Sequence, residues 1–422
     1  MPLSDGTVHI IGAGMAGLAA AVRLAGQGRR VAIHEAAAQP GGRCRTYYDH
    51  ATGMLIDNGT HVVLSGNRAA RSFAESIGSA AGLHSPAEAE FAFVDLPSKS
   101  RWSLRFNDGR VPWWVFDKTR RVPGTSAADY LPLARLALPA ADRPIGDVMA
   151  CSGPIYSRLL EPLLLAALNI DPQKGSIKLA GALIRETLAL GGRACRPLLA
   201  RDGIGKVFVD PAIAYLKRHG VPILLRDELV ALRSSNGRIA ELEFTDRAEP
   251  LGKDDAVILA VTPNAAAKLL PGLPVPTAFR GIVNVHFRVD PPQDMPPMLG
   301  VIGGTSEWIF AMPGRVAVTV SSADRLFTVP REELARRIWR EVAAVSGLPT
   351  DLPPWQIVRE RRATFAATPE QNARRPKPQT EWANVFLAGD WTATGLPATL
   401  EGAIRSGYRA AGLAGGRLMA AA

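Results

Sequence analysis

The sequence predicts an α/β chain in which an open parallel sheet shares the polypeptide with an interleaved α+β unit. Two observations carry this expectation. Short runs of β-branched residues, each closed by a turn, recur far apart in the chain, at 8–11, 30–35, 255–261 and 384–388. Between them lie segments of different character: a leucine- and alanine-rich helical stretch at 155–190, and a mixed strand-and-helix stretch at 276–365. At 422 residues the chain exceeds the usual size of one core, so two domains are expected. The reading assigns 1–80, 200–265 and 380–422 to a nucleotide-binding domain, and 81–199 and 266–379 to a substrate-binding domain.

The elements follow in order. The strand at 8–11 runs into Gly12-Ala13-Gly14-Met15-Ala16-Gly17, and residues 18–24 are rich in helix formers. Residues 30–35 form a second strand, completing a Rossmann-like strand–turn–helix–strand unit. Residues 155–190 are expected to be helical, broken at Pro162 and Pro172. Residues 222–232 and 238–244 read as two strands joined by Ser234-Ser235-Asn236-Gly237. Strands are expected at 281–289 and 316–321, a helix at 332–345, and a last helix from about Ala398.

Composition narrows the function. Net charge is +10, but the basic residues are scattered and no RNA-binding motif, zinc finger or basic helix occurs, so nucleic acid is not an expected partner. Cys44, Cys151 and Cys195 are odd in number and far apart, which excludes a disulfide framework; no metal site is expected. No signal-peptide pattern and no membrane-length apolar run appear, and the expected location is the cytoplasm.

The glycine turn carries the first chemistry. Gly12 permits the tight turn, Gly14 lets the backbone approach a pyrophosphate, and Gly17 lets the helix pack on the strand, whose N-terminus then faces the anion. Glu35 closes the second strand eighteen positions after Gly17, where a carboxylate accepts from both ribose hydroxyls. Gly41-Gly42-Arg43-Cys44-Arg45-Thr46 follows, adding close backbone approach and fixed positive charge for a second pyrophosphate contact. Near the other end, Gly389-Asp390 follows a strand, and Asp390 is placed to accept from a ribityl hydroxyl. The helix beginning Thr399-Leu400-Glu401-Gly402-Ala403 would aim its N-terminus at a flavin edge, with Gly402, Ser406 and Gly407 small enough to lie close to the ring.

These motifs, with Asp57-Asn58-Gly59-Thr60-His61, resemble the amine oxidase and phytoene desaturase flavoprotein superfamily. More narrowly, the sequence is similar to the squalene-associated FAD-dependent desaturases, the hydroxysqualene dehydroxylases. The resemblance runs through Ala167-Leu168-Asn169, Gly303-Gly304-Thr305-Ser306-Glu307-Trp308, Arg362-Ala363-Thr364-Phe365 and, most specifically, the stretch from Leu387-Ala388-Gly389-Asp390-Trp391 to Ala403. Thr60 departs from the pattern, which leads one to expect glutamine or a similar residue there. The resemblance implies a glutathione-reductase-type, Rossmann-like FAD-binding domain interleaved with an α+β substrate-binding domain. It extends the cofactor contacts to Met15, Ala16, Asn58, Gly59, Val230, Leu400 and Ala403, besides Gly12, Gly14, Gly17, Glu35, Gly42, Arg43, Gly389 and Asp390.

The resemblance further implies an enzyme that uses reduced FAD to replace the allylic hydroxyl of hydroxysqualene, a C30 isoprenoid, by hydride. A carotenoid-type desaturase or isomerase and a non-catalytic prenyl-lipid escort protein are the alternatives on this fold. Candidate proton donors are Asp57, His61 and Glu401, each close in sequence to an expected flavin contact. An apolar tunnel is expected, walled by 159–190 and 282–287. Trp113, Trp114 and Phe116, followed by Lys118, Arg120 and Arg121, suit contact with the inner face of a membrane. Neighbouring squalene-pathway enzymes are the other implied partners.

Overall fold

The computed structural model describes residues 6–138 and 141–416. Its nucleotide-binding half is a parallel sheet assembled from distant parts of the chain. β1 (Thr7–Ile11) and β2 (Arg30–Glu35) flank the first helix, α1 (Met15–Ala25). β3 (Ile223–Leu225), β4 (Ala256–Leu259) and β5 (Val385–Leu387) complete the sheet in the order β3-β2-β1-β4-β5. Every pairing is parallel. The inner strands are buried on both faces, as near-continuous runs such as Ala256–Leu259 demand, while the edge strand β3 leaves Leu224 and Leu225 exposed. α1 and the last helix, α4 (Leu400–Ala414), cover one face, while the antiparallel strands Leu229–Ser235, Arg238–Phe244 and Ala248–Pro250 cover the other.

The strand order reverses direction between β1 and β4, and ligands of open α/β sheets bind at the carboxyl ends of strands at such a point. Glu35 ends β2, and Gly389-Asp390 follows β5 on the same edge. Three strand spacings separate β2 from β5, about 14 Å in all, a span suited to an extended dinucleotide.

The run 222–232 is not one strand. It divides into β3 and Leu229–Ser235, which belong to different sheets. Arg226 turns the chain with φ 59°, and Asp227 is drawn onto His34 and Arg247.

The second sheet has seven strands, in the order 355–365, 279–287, 315–320, 308–312, 298–302, 89–95, 101–106. The parallel pairing of Met298–Ile302 with Ala89–Asp95 joins two remote chain segments. α3 (Arg331–Ser346) packs on one face, with Glu332 and Glu333 in its first turn and Gly347 closing it in the left-handed conformation. Val283, Val285 and Phe287 form that helix's core contact together with Trp339. Their alternates Asn284 and His286 face the other way and hydrogen-bond to the 57–60 segment. Residues 282–287 are thus a two-faced core strand and not the wall of an apolar tunnel. Between Leu159 and Ile184, Leu159, Leu160, Leu164, Leu168 and Ile177 likewise fill cores. Pro162 does not end the helical stretch: a π-helical segment, Tyr156–Leu160, runs directly into the helix Glu161–Leu168, so the interruption is a local widening of the hydrogen-bond ladder just before the proline.

Candidate functional site: a dinucleotide slot joined by both ends of the chain

The turn after β1 is built by its glycines. Gly12 has φ 105°, and a Cβ there would lie 2.5 Å from the Ala260 carbonyl oxygen. A Cβ on Gly17 would lie 1.9 Å from the Gly12 oxygen, so Gly17 is required by packing. Gly14 is different: a Cβ there would meet nothing within 4 Å. Its Cα borders open space at the head of α1, whose first turn has neither a capping side chain nor an acid. The N–H groups of Met15 and Ala16 belong to that first turn, with the helix dipole behind them.

The second glycine turn lies directly against the first. Gly41 N–H donates to the Ala13 carbonyl at 2.8 Å, and a Cβ on Gly42 would come within 3.5 Å of the Gly14 Cα. Arg43 then crosses to the far end of the chain. Its Nη2 donates to Asp390 Oδ1 at 2.7 Å and its Nη1 to the Ala363 carbonyl. Its side chain keeps 43% of its exposure, so the guanidinium remains accessible to a ligand. The Asp390 carboxylate raises the Arg43 pKa above its ordinary value.

Asp390 is positioned from several directions. Gly389 N–H donates to Ser406 Oγ on α4 at 2.8 Å, and the Asp390 carbonyl accepts from Arg375 Nη2 at 3.0 Å. Arg375 also donates to Thr394 and lies over the Phe365 ring; burial lowers its pKa to about 10. Arg375 carried no legible signal, since Arg374-Arg375-Pro376 reads as a surface cluster. At the other end, the Glu35 carboxylate accepts from the Ala13 and Ala37 N–H groups at 2.7 and 2.8 Å. Asp227 N–H donates to the Glu35 carbonyl, and three residues on Val230 is 49% exposed.

The segment after Asp57 lies between the two sheets. Asn58 accepts from Arg45 and donates to Glu360, while Asn284 Nδ2 approaches a Cβ position on Gly59 to 3.4 Å. The Thr60 hydroxyl is buried without a hydrogen-bond partner, an orphaned polar atom of the kind a ligand satisfies. His61 is half-buried. Its Nδ1 donates to the Gly59 carbonyl at 2.7 Å and its Nε2 faces Cys44 Sγ at 3.8 Å. Burial opposes charge on the ring, but Cys44, the Gly59 carbonyl and Asp57 outweigh it and push the pKa up to about 9.

The other two candidate proton donors are held in structural roles. Asp57 is buried, accepts from Thr46 and from Ile204 N–H, and pairs with Arg315 at 3.6 Å; burial raises its pKa. The Glu401 carboxylate caps α2 (Arg68–Ser76) by accepting from the Ala69 and Ala70 N–H groups at 3.1 and 2.8 Å, and it pairs with Arg405 at 2.7 Å. It is committed to helix capping, so it is corrected from proton donor to structural residue. Ser406 and Gly407 are corrected too. Ser406 holds Gly389, and a Cβ on Gly407 would lie 2.1 Å from the Ala16 carbonyl, so their small size serves the packing of α4 on α1. Leu400 and Ala403 pack against the same core beside α1. Glu307, noted in the sequence only as part of the Gly303–Trp308 resemblance and without a chemical role, is a further buried acid. Its Oε2 accepts from Ser321 N–H at 2.7 Å, and burial pushes its carboxyl up to about 7.

An open cradle at Gly14, an uncapped helix head, an acid at the ribose position and the Arg43–Asp390 bridge fit FAD. Fold and site define a flavin-dependent oxidoreductase, and the chain belongs to the flavin containing amine oxidoreductase family, whose profile matches residues 15–414. Its cofactor is FAD. Within that family the chain is 56% identical over 408 residues to a hydroxysqualene dehydroxylase of Rhodopseudomonas palustris, covering 96% of this chain and 98% of the relative. It is 45% identical over 406 residues, with the same two coverages, to the protein of that name from Zymomonas mobilis. Cyclohexylamine oxidase from Brevibacterium oxydans superposes with a TM-score of 0.71 at 18% identity, covering 98% of this chain and 99% of that one, which shows the shared fold. Among the described residues no helix is long and apolar enough to cross a membrane.

Proposed function

We propose that this chain is the FAD-dependent enzyme that removes the allylic hydroxyl of hydroxysqualene to give squalene. The carrying observation is the 56% identity to a hydroxysqualene dehydroxylase across 96% of the chain, with the Gly12–Gly17 turn and the Gly389-Asp390 motif joined through Arg43. Reduced FAD supplies the hydride that reaches the allylic carbon. The chain's own residues bind and orient. The α1 head and Arg43 take the pyrophosphate, Glu35 the ribose, and Asp390 the ribityl chain. One proton must reach the departing hydroxyl to release water. His61, protonated below about pH 9, is the proposed donor. Anaerobic incubation of the holoenzyme with hydroxysqualene and chemically reduced flavin, followed by product extraction, tests the reading. Squalene is expected. Recovery of unchanged substrate, or of a product with an added double bond, would reject it.

The division into a nucleotide-binding domain (1–80, 200–265, 380–422) and a substrate-binding domain (81–199, 266–379) is part of the proposal. Its support is that the five-stranded sheet draws on the first set of segments and the seven-stranded sheet on the second. A cytoplasmic location with contact at the inner membrane face also belongs here. Its support is the exposure of Trp113 and Phe116, 66% each, and of Val111, beside exposed Lys118. Trp114 takes no part, being packed edge-on to Phe106 and Tyr130. The same surface would meet neighbouring squalene-pathway enzymes. Replacing Trp113 and Phe116 by serine should abolish co-sedimentation with anionic liposomes; undiminished binding would remove the contact from the proposal.

A further inference from the structure

We infer that His9, His34 and Glu249 form a binding site for a divalent first-row metal ion of the zinc class, on the far face of the nucleotide sheet. The three residues are remote in sequence and were invisible as a motif. His9 and His34 lie on the adjacent strands β1 and β2, and Glu249 lies on the strand Ala248–Pro250 that covers them. His9 Nδ1 stands 3.2 Å from His34 Nε2 and 3.7 Å from Glu249 Oε1, and the three ligand atoms all lie within 4.8 Å of one another. The second distance exceeds hydrogen-bond reach. A tetrahedral ion with bonds of about 2.0–2.1 Å holds its ligand atoms about 3.3–3.4 Å apart, so the two histidine nitrogens stand at about that spacing and the Glu249 carboxylate, further off and partly exposed, would close in on the ion.

The surroundings are arranged for such an ion. His34 Nδ1 donates to Asp227 Oδ2 at 2.8 Å, which leaves the Nε2 lone pair directed at His9; this is the carboxylate–histidine arrangement that fixes a ligand's tautomer. Asp227 is held in turn by Arg247 through both oxygens. Phe244 stacks on His34 with ring centroids 4.7 Å apart and fixes the ring plane. Both rings are buried, so their approach to a common centre is fixed by the packing around them. The two carboxylates and Arg247 leave one net negative charge for a cation to meet. The Glu249 side chain keeps 35% of its exposure, which provides an entry path.

A bound ion would fasten the covering strands to the sheet beneath the nucleotide turn, because the His34 carbonyl accepts from Gly12 N–H at 2.7 Å and Glu35 follows directly. The alternative is a hydrogen-bonded string Asp227–His34–His9 that binds nothing, with Glu249 paired only to Arg247 at 3.8 Å. The test is zinc uptake by tag-free holoenzyme, dialysed against chelator-buffered zinc and measured by mass spectrometry beside the Glu249→Gln variant. Glu249 lies on a partly exposed edge, so the variant retains fold and flavin. One zinc per chain is expected in the parent, with affinity at least about tenfold weaker in Glu249→Gln. Absence of zinc from the parent, or equal affinity in both proteins as adventitious capture by exposed His50, His84 or His219 would give, overturns the site.

Discussion

Glu401→Gln removes the charge of a buried carboxylate without changing its size, and the loss should appear in stability and not in turnover. The carboxylate accepts three hydrogen bonds, from the Ala69 and Ala70 N–H groups and from Arg405. Glutamine retains one acceptor oxygen and turns an amide toward a donor. Losing one charge-assisted bond costs about 1.5–3 kcal/mol, and losing a negative charge at the α2 N-terminus costs about 0.3–1 kcal/mol more. Arg405 keeps its paired bonds to Glu186 at 3.0 and 2.6 Å, so the full penalty of an orphaned charge is not incurred. The expected destabilisation is about 2–4 kcal/mol. Thermal unfolding of the holoenzyme followed by circular dichroism should show a lower Tm, while turnover per bound FAD stays within a few-fold of the parent. A general acid contributes about 100-fold or more. A loss of that size with unchanged Tm and FAD content would refute the capping role and restore Glu401 as a proton donor.

Three further outcomes follow. Gly14→Val should yield a folded protein lacking flavin absorbance, because its side chain enters the open cradle, whereas Gly17→Val should fail to fold, since its Cβ would meet the Gly12 oxygen at 1.9 Å; circular dichroism and absorbance separate the two. Asp390→Ala should weaken FAD binding about 10- to 100-fold, read by fluorescence titration, through loss of the ribityl acceptor and of the anchor for Arg43. His61, raised from 6.5 to about 9, should set an alkaline limit on turnover near 9, and its contribution to stability should be whole below about 6.5 and lost as pH rises through about 9. In Cys44→Ala that limit should move down, because Cys44 is the largest of the influences that raise it. A limit near 7 that Cys44→Ala leaves in place would point to Glu307 instead.

The nucleotide unit was legible because its signals are local. β-Branched runs, a glycine turn and an acid at a fixed distance specify β1, α1 and β2 without reference to the rest of the chain. The Gly389-Asp390 motif was legible for the same reason. What escaped depends on contacts between remote residues. The run 222–232 contains no internal glycine or proline, and its break at Arg226 becomes visible only once Asp227 is seen on His34 and Arg247. Glu401 adjoins an expected flavin contact, yet its partners include the first turn of α2, more than three hundred residues earlier. Its i+4 neighbour Arg405 was the one local hint of that structural role. The alternation Val283, Asn284, Val285, His286, Phe287 already describes a strand with one apolar and one polar face, and it argues against a lipid wall there. Arg375 and Glu307 acquire their chemistry from burial alone, which no local pattern encodes.

The most direct test of the account is the electron density of FAD in crystals of the loaded protein. One continuous molecule is predicted, with its ribose at Glu35, its pyrophosphate over Gly14 and the head of α1, and its ribityl chain at Asp390 beside Arg43. Density that begins elsewhere than at Glu35, or that carries the isoalloxazine away from Asp390, would contradict it.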